Sequence, residues 1–157
     1  MIGDIATWVT AGGVLLTAFG LRQVYLGRMR QFEFMYVQRY WSILDRLSLD
    51  ALKGKPSSIE HQQADEKVAW AYLQLCEDEL EMRAEGWLGN STYKIWRSSI
   101  CGELHHPLFF AALRSSQDEP NPPFAYIRQL LDSDAPREYD PCNSLWRRIR
   151  CAGIGGV

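Results

Sequence analysis

The common catalytic signatures are missing from this chain. It has no P-loop, no nucleophile elbow, no zincin helix and no dinucleotide-binding glycine fingerprint. Cys76, Cys101, Cys142 and Cys151 form no C-x-x-C pair, which removes the usual zinc-ribbon and thioredoxin spacings. In a cytosolic body they are expected as reduced thiols, with Cys76 and Cys101 as core filler. A basic excess is also lacking. The net charge of −2 and a pI near 5.9 argue against a nucleic-acid binder. There is no internal repeat, no low-complexity segment and no alternating strand pattern. What is plentiful is aromatic: six Trp, seven Tyr and six Phe suit a compact helical core and not a disordered tail.

Charge is absent from one long stretch. Ile5 to Leu21 carries none, and Arg22, Arg28 and Arg30 follow. At about 1.5 Å per residue the stretch reaches roughly 25 Å, against a hydrocarbon core of about 30 Å. Met1 and Ile2 on one side, and Val24, Tyr25 and Leu26 on the other, make up the difference. Arg22 would snorkel toward the headgroups, and Trp8 and Tyr25 would sit at the two interfaces. The expectation is a single membrane-spanning helix with a basic collar of Arg22, Arg28 and Arg30. The alternative is a buried core helix of a soluble domain. A cleaved signal peptide fits poorly, because nothing basic precedes the apolar run and no small-x-small site closes it. Only Asp4 precedes the span, whereas Arg39 adds to the arginines after it. The positive-inside bias therefore places the N-terminus outside the cell's inner (plasma) membrane and the C-terminal part in the cytoplasm. The division expected is 1–26 as a transmembrane anchor, 27–141 as a cytosolic helical domain and 142–157 as a basic tail.

Beyond the collar the apolar spacing is helical. Phe34, Val37, Trp41, Leu44 and Leu47 recur at steps of three and four, and no Gly or Pro falls between Met29 and Leu52. The membrane helix is expected to continue as one rod, with Gly27 the place for a bend and Lys53-Gly54-Lys55-Pro56 the stop. Ser57 and Glu60 have capping-box spacing. The following helix would bury Ala69, Leu73, Cys76 and Leu80 and end near Gly86. Ser91 or Thr92 would open a short helix carrying Tyr93, Ile95, Trp96 and Ile100. Pro107 suits the first turn of another helix, and Asn121-Pro122 starts one leading to Phe124, Ile127, Leu130 and Leu131. Residues 132–141 read as a loop, and residues 143–151 as a final short helix. The fold class is all-α.

Several constellations could carry function. Ala6, Thr10, Gly13, Thr17 and Gly20 fall on one helix face at heptad spacing, and small residues let helix backbones approach closely in lipid. That seam suits a homo-oligomer or a partner membrane helix. Its opposing interpretation is that such residues are common in membrane helices. Glu77 borders the buried stripe of its helix and needs a partner, such as Arg97 in a buried ion pair. It is alternatively a catalytic acid or base acting with His105 or His106. Cys101 and His105 are one turn apart and could contribute to a zinc site with Cys76 or a carboxylate, but two adjacent histidines at a helix start explain themselves without metal. No cofactor or metal is expected. Residues 145–150, Leu-Trp-Arg-Arg-Ile-Arg, form a basic amphipathic stretch suited either to anionic lipid or to a last core helix. The core version puts Leu145, Trp146 and Ile149 inward.

The layout from Arg22 to Trp41, followed by Tyr72-Leu73 with Glu77, Gly86 and Trp96, resembles a loose group of uncharacterised bacterial proteins. These have one N-terminal span, a basic helix continuing from it and a small helical cytosolic body. The group brings no activity with it, and residues 142–157 fall outside the resemblance. The function expected is a non-enzymatic, membrane-anchored interaction protein that assembles through its span. The alternatives are a small membrane effector of defence or toxin type, acting on the bilayer, and an enzyme using Glu77 with His105 or His106.

Overall fold

A computed structural model describes residues 2–118, 120–142 and 144–154, with side chains left out for residues 2–12, 150 and 152–154. The described residues are helical wherever they are regular, as the sequence periodicity requires, and contain no strand. Ala6, Thr10 and Trp8 lie among the undescribed side chains. Two compact units make up the chain, Met1–Phe34 and Met35–Val157.

Helix α1 runs Ile2–Leu44. The expected rod to Leu52 stops there, although no Gly or Pro intervenes. A turn leads to a second helix, α2 (Leu49–Leu52), capped by the Ser48 side chain accepting from the Ala51 amide. Asp65, far along the chain, fixes that cap. One of its oxygens accepts from the Ser48 amide at 2.9 Å and the other from the Ser48 hydroxyl at 2.6 Å. Burial pushes the Asp65 carboxyl up, but the hydrogen bonds from Ser48 and Ser57 outweigh it and hold the group below the usual carboxylate range. Ser57 is thereby drawn to Asp65, and the expected Ser57–Glu60 capping box does not form. Helix α3 (Gln62–Ala84) begins instead after His61, with no side-chain cap.

α3 is the axis of the second unit. Ala69, Leu73 and Leu80 have no exposed surface, and Tyr72, Leu75 and Cys76 almost none. α4 (Asn90–Glu103), α5 (Pro107–Ser115) and α6 (Ala125–Asp132) all pack on it, α5 most extensively. Pro107 opens α5, as its fixed φ favours. Gly86, at φ 75, ends the α3 turn in the left-handed conformation that glycine adopts without penalty. Phe124, at φ 66, has no such freedom; its ring is buried and lies 5.3 Å from Trp70. A last helix, α7, spans Leu145–Ile154.

The C-terminal segment is tied down through Arg83. Its guanidinium donates to both Asp140 oxygens and to the Leu88 carbonyl, and lies 4.8 Å from the Tyr93 ring centre. Tyr93 and Arg97 both donate to the Tyr139 carbonyl. The tail is therefore part of the body, but it is turned the other way from the core version anticipated above. Arg147 donates to the Ala84 carbonyl and Arg148 to the Cys142 carbonyl, whereas Leu145, Trp146 and Ile149 face outward. The buried apolar residues here are Cys142 and Cys151. The Ala84 carbonyl at the end of α3 needs a donor, and Arg147 supplies it.

Candidate functional site

The residues singled out in the sequence fall into separate places. Gly13, Thr17 and Gly20 are exposed on α1, with open space where a Cβ would extend from either glycine. Thr17 turns its hydroxyl back to the Gly13 carbonyl at 2.8 Å. Arg22, Arg28 and Arg30 are also exposed. At about 100° per residue they point in three widely different directions around the helix.

Glu77 and Arg97 do not meet. The Glu77 carboxylate accepts from the amides of Tyr126 at 2.8 Å and Ile127 at 3.0 Å. It caps α6 from across the core, supplying the acceptor that Phe124, in its left-handed conformation, does not. His106 is occupied too. Its Nδ1 accepts from the Leu108 amide and caps α5, while Nε2 lies 2.8 Å from the Ala51 carbonyl and donates to it. His105 is exposed. Among the described residues no group of His, Cys, Asp and Glu could hold a metal ion. Cys101 sits 3.9 Å from the Pro136 carbonyl, and burial pushes the Cys76 thiol well above its ordinary value, which leaves it unreactive.

A concave feature lies elsewhere. A cavity of about 210 Å³ opens between the C-terminal part of α1, the middle of α3 and α4. α1 contributes Val37, Tyr40 and Trp41, and α4 contributes Trp96 and Ser99. From α3 come Tyr72, Leu75, Cys76 and Glu79, which share a face at steps of three, one and three. The rings support one another. Tyr40 lies edge-on to Trp41 at 5.2 Å and tilted to Tyr72 at 6.2 Å, and Tyr36 stacks on Trp96 at 5.6 Å.

One charge-bearing group lines this aromatic wall. Glu79 is 8% exposed, and burial pushes its carboxyl up to about 8, with Asp78 adding to the effect and Arg39 opposing it. No hydrogen bond acts on it. The nearest cation, Arg39, is held by Asp78 at 2.9 Å. The Glu79 oxygens are not among the fully buried atoms without a partner, so they open to the cavity, and carboxyls raised by burial in a cleft mark functional sites more often than chance. The apolar spacing of α3 draws attention to Glu77 and not to Glu79. The available signal was its position four residues after Leu75 and three after Cys76, inside the buried face.

A second hollow, about 360 Å³ and mostly polar, lies over Arg83, Tyr93, Lys94, Arg97 and Asp140. Its main cation is already neutralised by Asp140 and serves to hold the C-terminal segment.

Among the described residues no helix is long and apolar enough to cross a membrane. The stretch from Ile5 to Leu21 begins among the undescribed side chains. No protein-family model matches the chain, and neither a curated protein nor a solved structure matches it.

Proposed function

We propose that this is a non-enzymatic, membrane-anchored interaction protein, held by the N-terminal part of α1 and presenting its helical body as a recognition module. One observation carries the reading. Val14, Leu15, Leu16, Phe19, Leu21 and Val24 are all more than half exposed. At about 100° per residue they surround the helix instead of forming a stripe. A helix that is apolar all round has no stable place in water; it belongs in a core or a bilayer. Thr17 fits a lipid setting, since its hydroxyl is satisfied within the helix. The arginine collar supports an orientation with the body in the cytoplasm. The open seam at Gly13 and Gly20 supports assembly through the span, as a homo-oligomer or with a partner helix.

The test is membrane fractionation followed by crosslinking in native membranes. The wild type is expected in the pellet after alkaline carbonate extraction, and a Leu16→Arg, Phe19→Arg variant in the supernatant. Charges at a helix centre cost about 2.5–3.5 kcal/mol each on insertion scales. Discrete crosslinked oligomers that vanish in a Gly13→Leu, Gly20→Leu variant establish the seam. A wild type that extracts freely overturns the anchor and everything resting on it.

A further inference from the structure

We propose that the cavity between α1, α3 and α4 is a binding site for a small organic ammonium ion, with Glu79 as counter-ion and Tyr40, Trp41, Tyr72 and Trp96 as the aromatic wall. The site lies wholly within Met35–Val157 and is independent of how the protein is anchored.

Three observations converge. First, Glu79 is more than nine-tenths buried, lines the cavity and has no hydrogen bond. Its oxygens are not among the fully buried atoms without a partner, so they face the cavity, where an ionised carboxylate has no protein cation to pair with except Arg39, already held by Asp78. Second, the walls are electron-rich rings, and two of them, Tyr40 and Trp96, are only partly covered, so their surfaces are available to a ligand. Aromatic faces attract cations, most strongly where water is excluded. Third, the size excludes large ligands. A cavity of about 150 Å³ accepts benzene, so about 210 Å³ takes roughly eight heavy atoms. A metal ion is a poor fit, because a single carboxyl in an apolar box offers too few oxygen ligands. An anion finds no cation among the lining residues to hold it. A methylated or alkylated ammonium ion satisfies the charge, the rings and the volume together.

Binding should rise with pH. The empty site holds the Glu79 carboxyl mostly protonated near neutrality, so a cation must displace that proton. The charged groups around it are few. On α1 and α3, Arg39 and Asp78 neutralise each other; Cys76 is buried; Glu103 of α4 acts on Tyr40.

The experiment uses the full chain in a maltoside detergent, which carries no ammonium headgroup, with tryptophan emission as the signal from Trp41 and Trp96. Choline is the probe, and 3,3-dimethylbutan-1-ol is its neutral isostere. Choline is expected to saturate with Kd of about 1 mM or tighter at pH 8, the isostere at least tenfold more weakly. Affinity for choline should fall tenfold or more between pH 8 and pH 6. Glu79→Gln should abolish the preference for choline and its pH dependence while leaving the helical circular dichroism unchanged. Trp96→Leu should weaken choline about tenfold. Short-chain phosphatidylcholine distinguishes the source of the ligand: tighter binding than choline with the same Glu79 dependence identifies a lipid headgroup, and weaker binding a free ion. Equal binding of choline and its isostere in the wild type, or no saturation by about 100 mM, overturns the proposal.

Discussion

Leu15, Leu16 and Phe19 of the N-terminal unit are chemically the same as Leu73, Leu80 and Phe109 of the second unit, yet their surroundings are opposite. The first three are 58–74% exposed and the last three at most 1%. α3 acquires its burial because α4, α5 and α6 have faces to bury with it. Between Val14 and Val24, α1 has exposed apolar residues on every side. The same side-chain types form a core where their own chain surrounds them and stay uncovered where it does not.

The sharpest way to break this contrast is to truncate one leucine in each region. Leu73→Ala should cost the body about 2–5 kcal/mol, through lost transfer energy and the cavity left behind. Leu16→Ala should leave the body's thermal midpoint unchanged. Unfolding of the purified protein in detergent, followed by near-ultraviolet circular dichroism, checks both. Similar losses in the two variants would mean that α1 is covered as α3 is.

The second prediction concerns charge within the covered region. Glu79 has its folded-state pKa raised to about 8 from an ordinary 4.5. The native state therefore holds a proton that the unfolded chain releases across that interval. The contribution is fully present below about 4.5, falls as pH rises, and is lost above about 8. Raising the pH from 5 to 9 should thus destabilise the wild type by a few kcal/mol more than it destabilises Glu79→Gln. Parallel thermal melts of the two proteins across this range would show it, and superimposable pH profiles would contradict it.

The smallest effect is expected at Glu77. Its two main-chain hydrogen bonds cap α6, and Glu77→Gln retains one acceptor. The cost should be about 1 kcal/mol in denaturant unfolding, within the usual span for a helix cap. A loss of cellular function without any loss of stability would instead revive a catalytic role for this carboxylate.

Much of the fold was legible. Steps of three and four between apolar residues define helices without reference to anything distant, and the Pro107 start needed only the proline ring's fixed geometry. The misreadings share one cause. The rod was expected to continue past Leu44 because nothing nearby forbids it; Asp65, in another helix, reaches back to cap Ser48. Glu77 was given Arg97 because a buried charge asks for an opposite charge; the structure supplies backbone amides from α6. Leu145, Trp146 and Ile149 were placed inward on hydrophobicity, but the free carbonyl at the end of α3 captured Arg147 and turned the apolar face out. Glu79 was missed because a narrow stripe centred on Leu73 and Leu80 leaves it in solvent. α3 is covered from several sides, so its buried arc is wider than one stripe.

The helical class and the uncharged stretch ahead of the arginines belong to the sequence alone, since both follow from local spacing and composition. The partners of Asp65, Glu77 and Arg147, and the enclosure of Glu79 by aromatic rings, belong to the tertiary structure. Such contacts join residues far apart in the chain, and no local preference ranks one distant donor above another. Only when the helices close does a particular amide or carbonyl come within reach, and only then does a carboxyl lose its water.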